Sequence, residues 1–325
     1  MQEYMLKYIE VYEELRQKMK WKVTDNKILM TIASFYAMNQ KPFQMESYQL
    51  IAEEIKRQAR AFSSIKSESR YIAAAMLDVG FEQAEKQIPA WFAAYDELAS
   101  AKFRKGIFTY IAAAVLIKNS GSDPTEYRPI ITKAKEIYEG MKKEHFFLTF
   151  SEDYPLAMLL AATQTDHVIE SNERFYDALN RNGFRKGNHL QMLSHILTLA
   201  QEESAEALVS RTTQVFDQFK EVGIKQKTLY YPVMGMLAMI PPAELDMQEV
   251  YQAYEQLNQT KPFKWQKDLN ATLAASFYVK DKLEHSTFIE SSLFTTIETI
   301  LQAQQAAMTA TIAAAVVTTN SNSGS

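Results

Sequence analysis

Basic side chains recur at one position of a repeating pattern along this chain, just after a large apolar residue and just before an apolar, helix-like run. These residues, called the basic ladder below, are Lys22, Lys66, Arg104, Lys105, Arg185, Lys186, Lys225, Lys227, Lys264 and Lys267. Free N–H groups and the helix dipole at the start of a helix favour anions as well, so cations placed there could bind a carboxylate or a phosphate. If the repeats stack, the pattern predicts a basic edge that binds an acidic or phosphorylated peptide.

The same residues have a simpler interpretation, because turns between helices commonly carry solvated lysines that acidic residues elsewhere balance. The segment Phe146-Phe-Leu-Thr-Phe150 has no basic residue and interrupts the ladder. Both interpretations stay open at the level of sequence.

A polar cluster at this interruption could also do chemistry. It runs from His145 to Asp153 and precedes Pro155, which is favoured in the first turn of a helix. Helix capping by Ser151 or Asp153 would explain it without chemistry. Alternatively, His145, Glu152 and Asp153 could meet His189 and His195 of the next repeat in an acid/base pair or a metal site.

Other motifs for catalysis or metal binding are missing from the sequence. His189 and His195 are six residues apart and would point in different directions on a helix, unlike the four-residue spacing of a helical zinc pair. The chain has no cysteine, no nucleophile elbow and no dinucleotide fingerprint. Segment Gly183-Phe-Arg-Lys-Gly187 lacks the rest of a phosphate-loop motif. We therefore predict no catalytic residues, no metal and no cofactor.

The elements that would position these residues form a repeat with a period near 40 residues. An aromatic residue is followed eight or nine positions later by a large apolar anchor, in the pairs Tyr12–Trp21, Tyr95–Phe103, Tyr138–Phe146, Tyr176–Phe184, Phe216–Ile224 and Tyr254–Phe263. Apolar runs follow at 28–37, 71–77, 107–117, 154–162, 190–200, 229–240 and 269–279. Such a period is typical of stacked helical hairpins. It predicts an all-α fold, an α/α solenoid (superhelix or toroid) of about seven hairpins with buried anchors.

Composition agrees with one helical-repeat domain over residues 1–302. Of the 325 residues, 47% are hydrophobic, which supplies a continuous core. Residues 303–325 are predicted to be an Ala/Thr-rich cap and a disordered polar tail. We expect no membrane span and no signal peptide, and the lack of cysteine favours the cytoplasm. The net charge of −4 argues against a specific nucleic-acid partner.

Two segments are similar to those of a known family. The strings from His145 to Ala161 and from Gly183 to Leu197 resemble segments of an uncharacterised bacterial family of full-length helical proteins, catalogued as a domain of unknown function. The resemblance covers most of the chain. It implies a helical fold with these two segments at its centre, and it brings no activity.

Two functions remain open. The first is a non-catalytic interaction scaffold that binds a protein or peptide on its concave face or basic edge, with candidate binding residues Arg104, Lys105, His145, Asp153, Arg185, Lys186, His189, Lys225 and Lys264. The alternative is an enzyme or small-ligand protein, in which a closed toroid would bring together residues near the starts of the apolar helices, namely Asp25, Glu68, Asp153, His189 and Asp268.

Overall fold

The computed structural model describes residues 1–61, 63–121, 124–162, 167–200 and 204–285. Within these ranges the chain forms fourteen α-helices and four short 3-10 turns, and no strand. The prediction of an all-α fold is therefore confirmed. The predicted cap and polar tail at 303–325 lie outside the described residues.

The chain divides into two compact units, one with the described residues from Gln2 to Ala162 and the other with those from His167 to His285 together with Met1. The first unit contains eight helices: α1 Gln2–Met19, α2 Asn26–Met38, α3 Met45–Gln58, α4 Ser69–Gly80, α5 Ala84–Ser100, α6 Ile107–Ser120, α7 Tyr127–Glu144 and α8 Tyr154–Ala162. Consecutive helices pack in pairs. The second helices also pack on one another in the order α2, α4, α6 and α8, as do the first helices α3, α5 and α7.

The second unit repeats this arrangement. Its helices are α9 Val168–Arg181, α10 Asn188–Leu199, α11 Ala205–Glu221, α12 Tyr231–Ala238, α13 Met247–Gln259 and α14 Lys267–His285. They pair in sequence, and the second helices α10, α12 and α14 pack in that order. Gly235 of α12 lets α10 approach closely, since a Cβ at this position would lie 2.5 Å from Leu193 Cδ1.

The two helices of a pair differ in burial, as their sequences predict. Every residue from Ile28 to Met38 of α2 is buried, and so is every residue of α12. The first helices bury one stripe only; in α9 it consists of Val168, Asn172, Phe175, Tyr176 and Leu179. This is the pattern of an amphipathic helix lying over a second, more buried helix.

Most of the predicted anchors are buried between helices, but two are not. Phe103, Phe184, Ile224 and Phe263 are buried. Trp21 is 88% exposed, because the first turn buries Val23 instead. The prediction that Trp21 is a buried anchor was wrong.

The prediction was also wrong for Phe146, which is 61% exposed. The N–H groups of Leu148 and Thr149 both donate to the carbonyl of His145, each at 3.0 Å. This tight turn places Thr149, and not the phenylalanine, in the interior.

Candidate anion-binding cleft

One four-residue turn occurs twice, once in each unit. Phe103-Arg104-Lys105-Gly106 precedes α6, and Phe184-Arg185-Lys186-Gly187 precedes α10, 81 residues later. Both glycines have a positive φ, 158° and 145°, and neither helix has a side-chain cap at its start. Each glycine stands where a residue with a side chain would be strained.

Tyrosines hold the backbone of both turns in the same way. The N–H of Arg104 donates to the hydroxyl of Tyr154 at 3.2 Å, and the N–H of Arg185 donates to that of Tyr231 at 3.0 Å. In each case the tyrosine ring meets the anchor ring, Phe103 or Phe184, edge to face at 4.8 Å. The backbone is therefore fixed while both basic side chains extend outward and are exposed.

A cleft of about 750 Å³ opens beside the first of these turns. Three hairpins supply its lining, which consists of Arg60, Ala61, Ser63, Ser64, Ser69, Tyr95, Arg104, Lys105, Gly106, Ile107, Phe108, Tyr110 and Ser151. The lining thus has three cations, four serines and two tyrosines, and no carboxylate. An anion in this cleft would meet positive charge and hydroxyl donors, and no carboxylate is among the lining residues.

The cations of the cleft differ in how far they are already neutralised. Arg60 pairs with Asp96 at 2.9 Å, and both side chains are exposed. Arg104 and Lys105 form no ion pair with any carboxylate in the described ranges. These two side chains hold the unneutralised charge of the cleft.

Two stacked tyrosines form part of the cleft wall. The rings of Tyr95 and Tyr110 lie 3.8 Å apart and nearly parallel, and the hydroxyl of Tyr110 is 2.8 Å from that of Ser63. Burial raises the pKa of Tyr110 to about 12. The phenol is therefore neutral at physiological pH and keeps its proton for hydrogen bonding.

The other predicted binding residues are spread over both units. Arg185, Lys186, Lys225 and Lys264 are exposed residues of the second unit. Lys186 and Lys264 lie over the rings of Tyr176 and Trp265, at 6.0 and 5.0 Å. His189, the fifth of this group, is half-buried, and burial lowers its pKa. None of the five lines the cleft.

Residues of the polar cluster from His145 to Asp153 form hydrogen bonds within their own turn and with the end of α7. Asp153 accepts a hydrogen bond from the N–H of Phe150 at 2.9 Å, and burial raises its pKa to about 7. The backbone of His145 ends α7, with its N–H donating to the carbonyl of Met141 at 2.8 Å. Neither side chain lines the cleft, and no cluster of acidic and histidine residues suited to a metal ion occurs in the part of the chain described.

The carboxylates at the starts of the buried helices are engaged locally. Asp25 caps α2 by accepting from the N–H of Lys27 at 2.8 Å. Glu68 accepts from the N–H and the hydroxyl of Thr24, at 3.1 and 2.9 Å.

Asp268 accepts from Lys227 at 2.5 Å and from Tyr230 at 2.6 Å. Burial would raise its pKa, but these two hydrogen bonds bring the pKa below its ordinary value. Each of these groups thus has a structural partner in its own hairpin or the preceding one.

Sequence reasoning found Arg104 and Lys105 but missed most of the cleft. The serines at 63, 64, 69 and 151 and the stacked tyrosines were not predicted to contribute. The only signal for Ser63, Ser64 and Ser69 was the density of serine between residues 63 and 69.

The chain matches proteins whose names state no activity. A family model described as "Protein of unknown function (DUF4003)" matches residues 11–306. The uncharacterized protein YeaA of Bacillus subtilis (strain 168) is 35% identical over 319 residues, which are 98% of this chain and 96% of that protein. No solved structure matches the chain. No helix within the described residues has the length and apolar character needed to cross a membrane.

Proposed function

Because the chain belongs to the DUF4003 family, whose description states no activity, we propose a function from the geometry of the cleft. The protein is a non-catalytic interaction protein that binds an acidic or phosphorylated segment of a partner protein. One observation carries this proposal: the cleft is lined by Arg60, Arg104 and Lys105 and by no carboxylate. Arginine is well suited to this role, since its planar guanidinium can bind a carboxylate or a phosphate through two hydrogen bonds.

The lining also favours binding over catalysis. It contains no histidine, aspartate, glutamate or cysteine, so no side chain in it is suited to take up a proton near neutral pH. Its tyrosine hydroxyls stay protonated, as the raised pKa of Tyr110 indicates. Such a site can hold an anion by charge and by hydrogen bonds, and it leaves the bound group unchanged.

We further propose that the hairpins form one α/α solenoid over residues 1–302, with a period near 40 residues. Support comes from the packing of the second helices on one another within each unit and from the recurrence of the Phe-Arg-Lys-Gly turn after 81 residues. Stacked hairpins place successive turns along one edge, which suits an extended partner. The lack of cysteine fits a cytoplasmic location.

The test is an affinity purification from a native cell extract with three forms of the protein. They are the wild type, the cleft variant Arg104→Glu/Lys105→Glu, and the control Arg16→Glu/Lys86→Glu. The control replaces one exposed arginine and one exposed lysine on α1 and α5, so both variants undergo the same change of charge. Melting temperatures within a few degrees of the wild type would show that all forms fold.

We expect the wild type and the control to retain a protein partner that the cleft variant loses. The purified partner should then bind the wild type with an affinity that falls with added salt and with added phosphoserine, because both compete for the cations. Equal retention by the cleft variant would overturn the proposal, as would binding that is insensitive to salt and phosphoserine.

A further inference from the structure

The turn between α7 and α8 exposes three phenylalanines. Phe146, Phe147 and Phe150, called the phenylalanine patch here, are 61%, 82% and 51% exposed. Single exposed apolar residues are common on protein surfaces, but three large rings on one short turn form a cluster that water solvates poorly. Aromatic residues of this kind are enriched at the centres of protein–protein interfaces.

Hydrogen bonds hold the backbone that presents the patch. The N–H of Phe150 donates to the carboxylate of Asp153 at 2.9 Å, and the N–H of Asp153 donates to the carbonyl of Phe150 at 3.1 Å. The rings of Phe146 and Phe147 meet edge to face at 5.3 Å, and Lys142 Nζ lies 5.5 Å from the Phe146 ring. A partner would therefore lose little entropy in ordering this surface when it binds.

The phenylalanine patch adjoins the cleft. Ser151, the residue after Phe150, lines the cleft, and the 3-10 turn Ser151–Asp153 packs against α6. The next residue, Tyr154, accepts a hydrogen bond from the backbone N–H of Arg104 at 3.2 Å. Residues 146–151 thus carry the exposed rings and, at their end, the serine that lines the basic cleft.

We infer that the phenylalanine patch and the cleft form one bipartite site for a single peptide segment. The segment places a carboxylate or a phosphate in the cleft and an apolar side chain on Phe146 and Phe147. This inference rests on the proposed function and adds an apolar residue, at a fixed distance from the anion, to what the protein recognises. The cleft is lined by three cations, fewer than the clusters of about four to eight Lys/Arg that bind anionic lipid surfaces, so we assign the site to a peptide.

A peptide array tests the inference directly. Each ten-residue peptide carries phosphoserine or glutamate at its centre, and phenylalanine occupies each flanking position in turn, against a serine background. The purified full-length protein is applied as wild type, as Phe146→Ser/Phe147→Ser, as the control Leu6→Ser/Leu50→Ser, and as Arg104→Glu/Lys105→Glu. Leu6 and Leu50 are exposed leucines of α1 and α3, so the control removes a similar apolar surface elsewhere.

We expect the wild type to prefer phenylalanine at one or two positions. Its affinity for those peptides, measured by fluorescence anisotropy, should be about tenfold higher than for the peptide with serine at every flanking position. Phe146→Ser/Phe147→Ser should abolish the peak and keep the background binding to the acidic peptide. The leucine control should keep both. The cleft variant Arg104→Glu/Lys105→Glu should lose both.

Several outcomes would overturn the inference. Acidic peptides that bind equally well whatever the phenylalanine position would refute the bipartite site and leave the proposed function intact. If no acidic peptide binds, the proposed function fails as well. A parallel sedimentation with phosphatidylglycerol/phosphatidylcholine vesicles covers the lipid alternative, since Phe146-dependent binding to vesicles without binding to peptides would overturn the assignment to a peptide.

Discussion

The hydroxyl of Tyr231 accepts a hydrogen bond from the backbone N–H of Arg185 at 3.0 Å and so ties the first turn of α12 to the turn before α10. Tyr154 makes the same bond to Arg104 at 3.2 Å. Both tyrosines precede a proline and begin a buried helix. The two turns therefore share a specific hydrogen bond between a tyrosine and the backbone, in addition to their spacing in the sequence repeat.

Replacing Tyr231 with phenylalanine should weaken this connection without disturbing the packing. The ring keeps its edge-to-face contact with Phe184, while the N–H of Arg185 loses its acceptor. We expect the free energy of unfolding in urea to fall by about 0.5–1.5 kcal/mol. Tyr251→Phe, which removes a hydroxyl with no hydrogen-bond partner in the described structure, should change it by less than about 0.5 kcal/mol. Equal stabilities of Tyr231→Phe and wild type would contradict this role.

Phe184 and Phe146 occupy the same position of the sequence repeat, yet truncating them should have very different effects. Phe184 is 1% exposed, so Phe184→Ala should cost about 3–5 kcal/mol. Phe146→Ala should cost less than about 0.5 kcal/mol, because its ring is on the surface. Urea unfolding of the two variants measures the difference. A large loss at Phe146 would show that its ring packs in the interior.

The sequence was sufficient to predict the helices and their burial but not every anchor. Phe184 and Phe146 share the eight-residue spacing from a tyrosine, and the spacing cannot show which ring faces inward. That depends on the turn: the 145–149 turn closes on the carbonyl of His145 and buries Thr149 in place of the ring. The spacing of the repeat predicts where the helices lie, whereas the direction of a side chain in a turn depends on local hydrogen bonds.

The cleft was predictable only where its residues belong to the repeat. Arg104 and Lys105 follow an anchor and were found. Ser63 and Ser151 lie far apart in the sequence and line one cleft only because the turns that carry them both pack against α6. Lys227 was placed in the basic ladder, and it donates to Asp268, 41 residues later, at 2.5 Å, as the alternative interpretation of balanced lysines allows. Charge in a sequence does not reveal which cations are already paired.

Gly235 should not tolerate a side chain. An alanine Cβ would lie 2.5 Å from Cδ1 of the fully buried Leu193, so this side chain would have to change rotamer or α10 would have to move. Gly235→Ala should therefore reduce stability by about 1–3 kcal/mol despite the better helix propensity of alanine. Gly80→Ala, where nothing lies within 4 Å, should be neutral or stabilising. In a Leu193→Ala background the cost of Gly235→Ala should shrink. If thermal and urea unfolding show the same cost in both backgrounds, a clash with Leu193 is not the cause.

The partly buried carboxyl of Asp153 should make stability depend on pH in the direction opposite to that of a salt-bridged acid. Burial raises its pKa from 3.8 to about 7, so between these values the native state holds a proton that the unfolded chain releases. The stabilisation from this proton is complete below about pH 4 and is lost as the pH rises through 7. Asp153→Asn keeps an acceptor for the N–H of Phe150 but cannot titrate.

The free energy of unfolding of the wild type, minus that of Asp153→Asn, should therefore increase by about 1–3 kcal/mol when the pH falls from 8 to 5. Urea titrations at each pH give this difference directly, and other titrating groups cancel because both proteins share them. Asp217→Asn, at an exposed aspartate of α11, should give a difference that stays within about 0.5 kcal/mol over the same range. A difference for Asp153 that stays constant, or decreases toward acid, would show that this carboxyl is solvated and that the turn beside the cleft does not depend on its protonation.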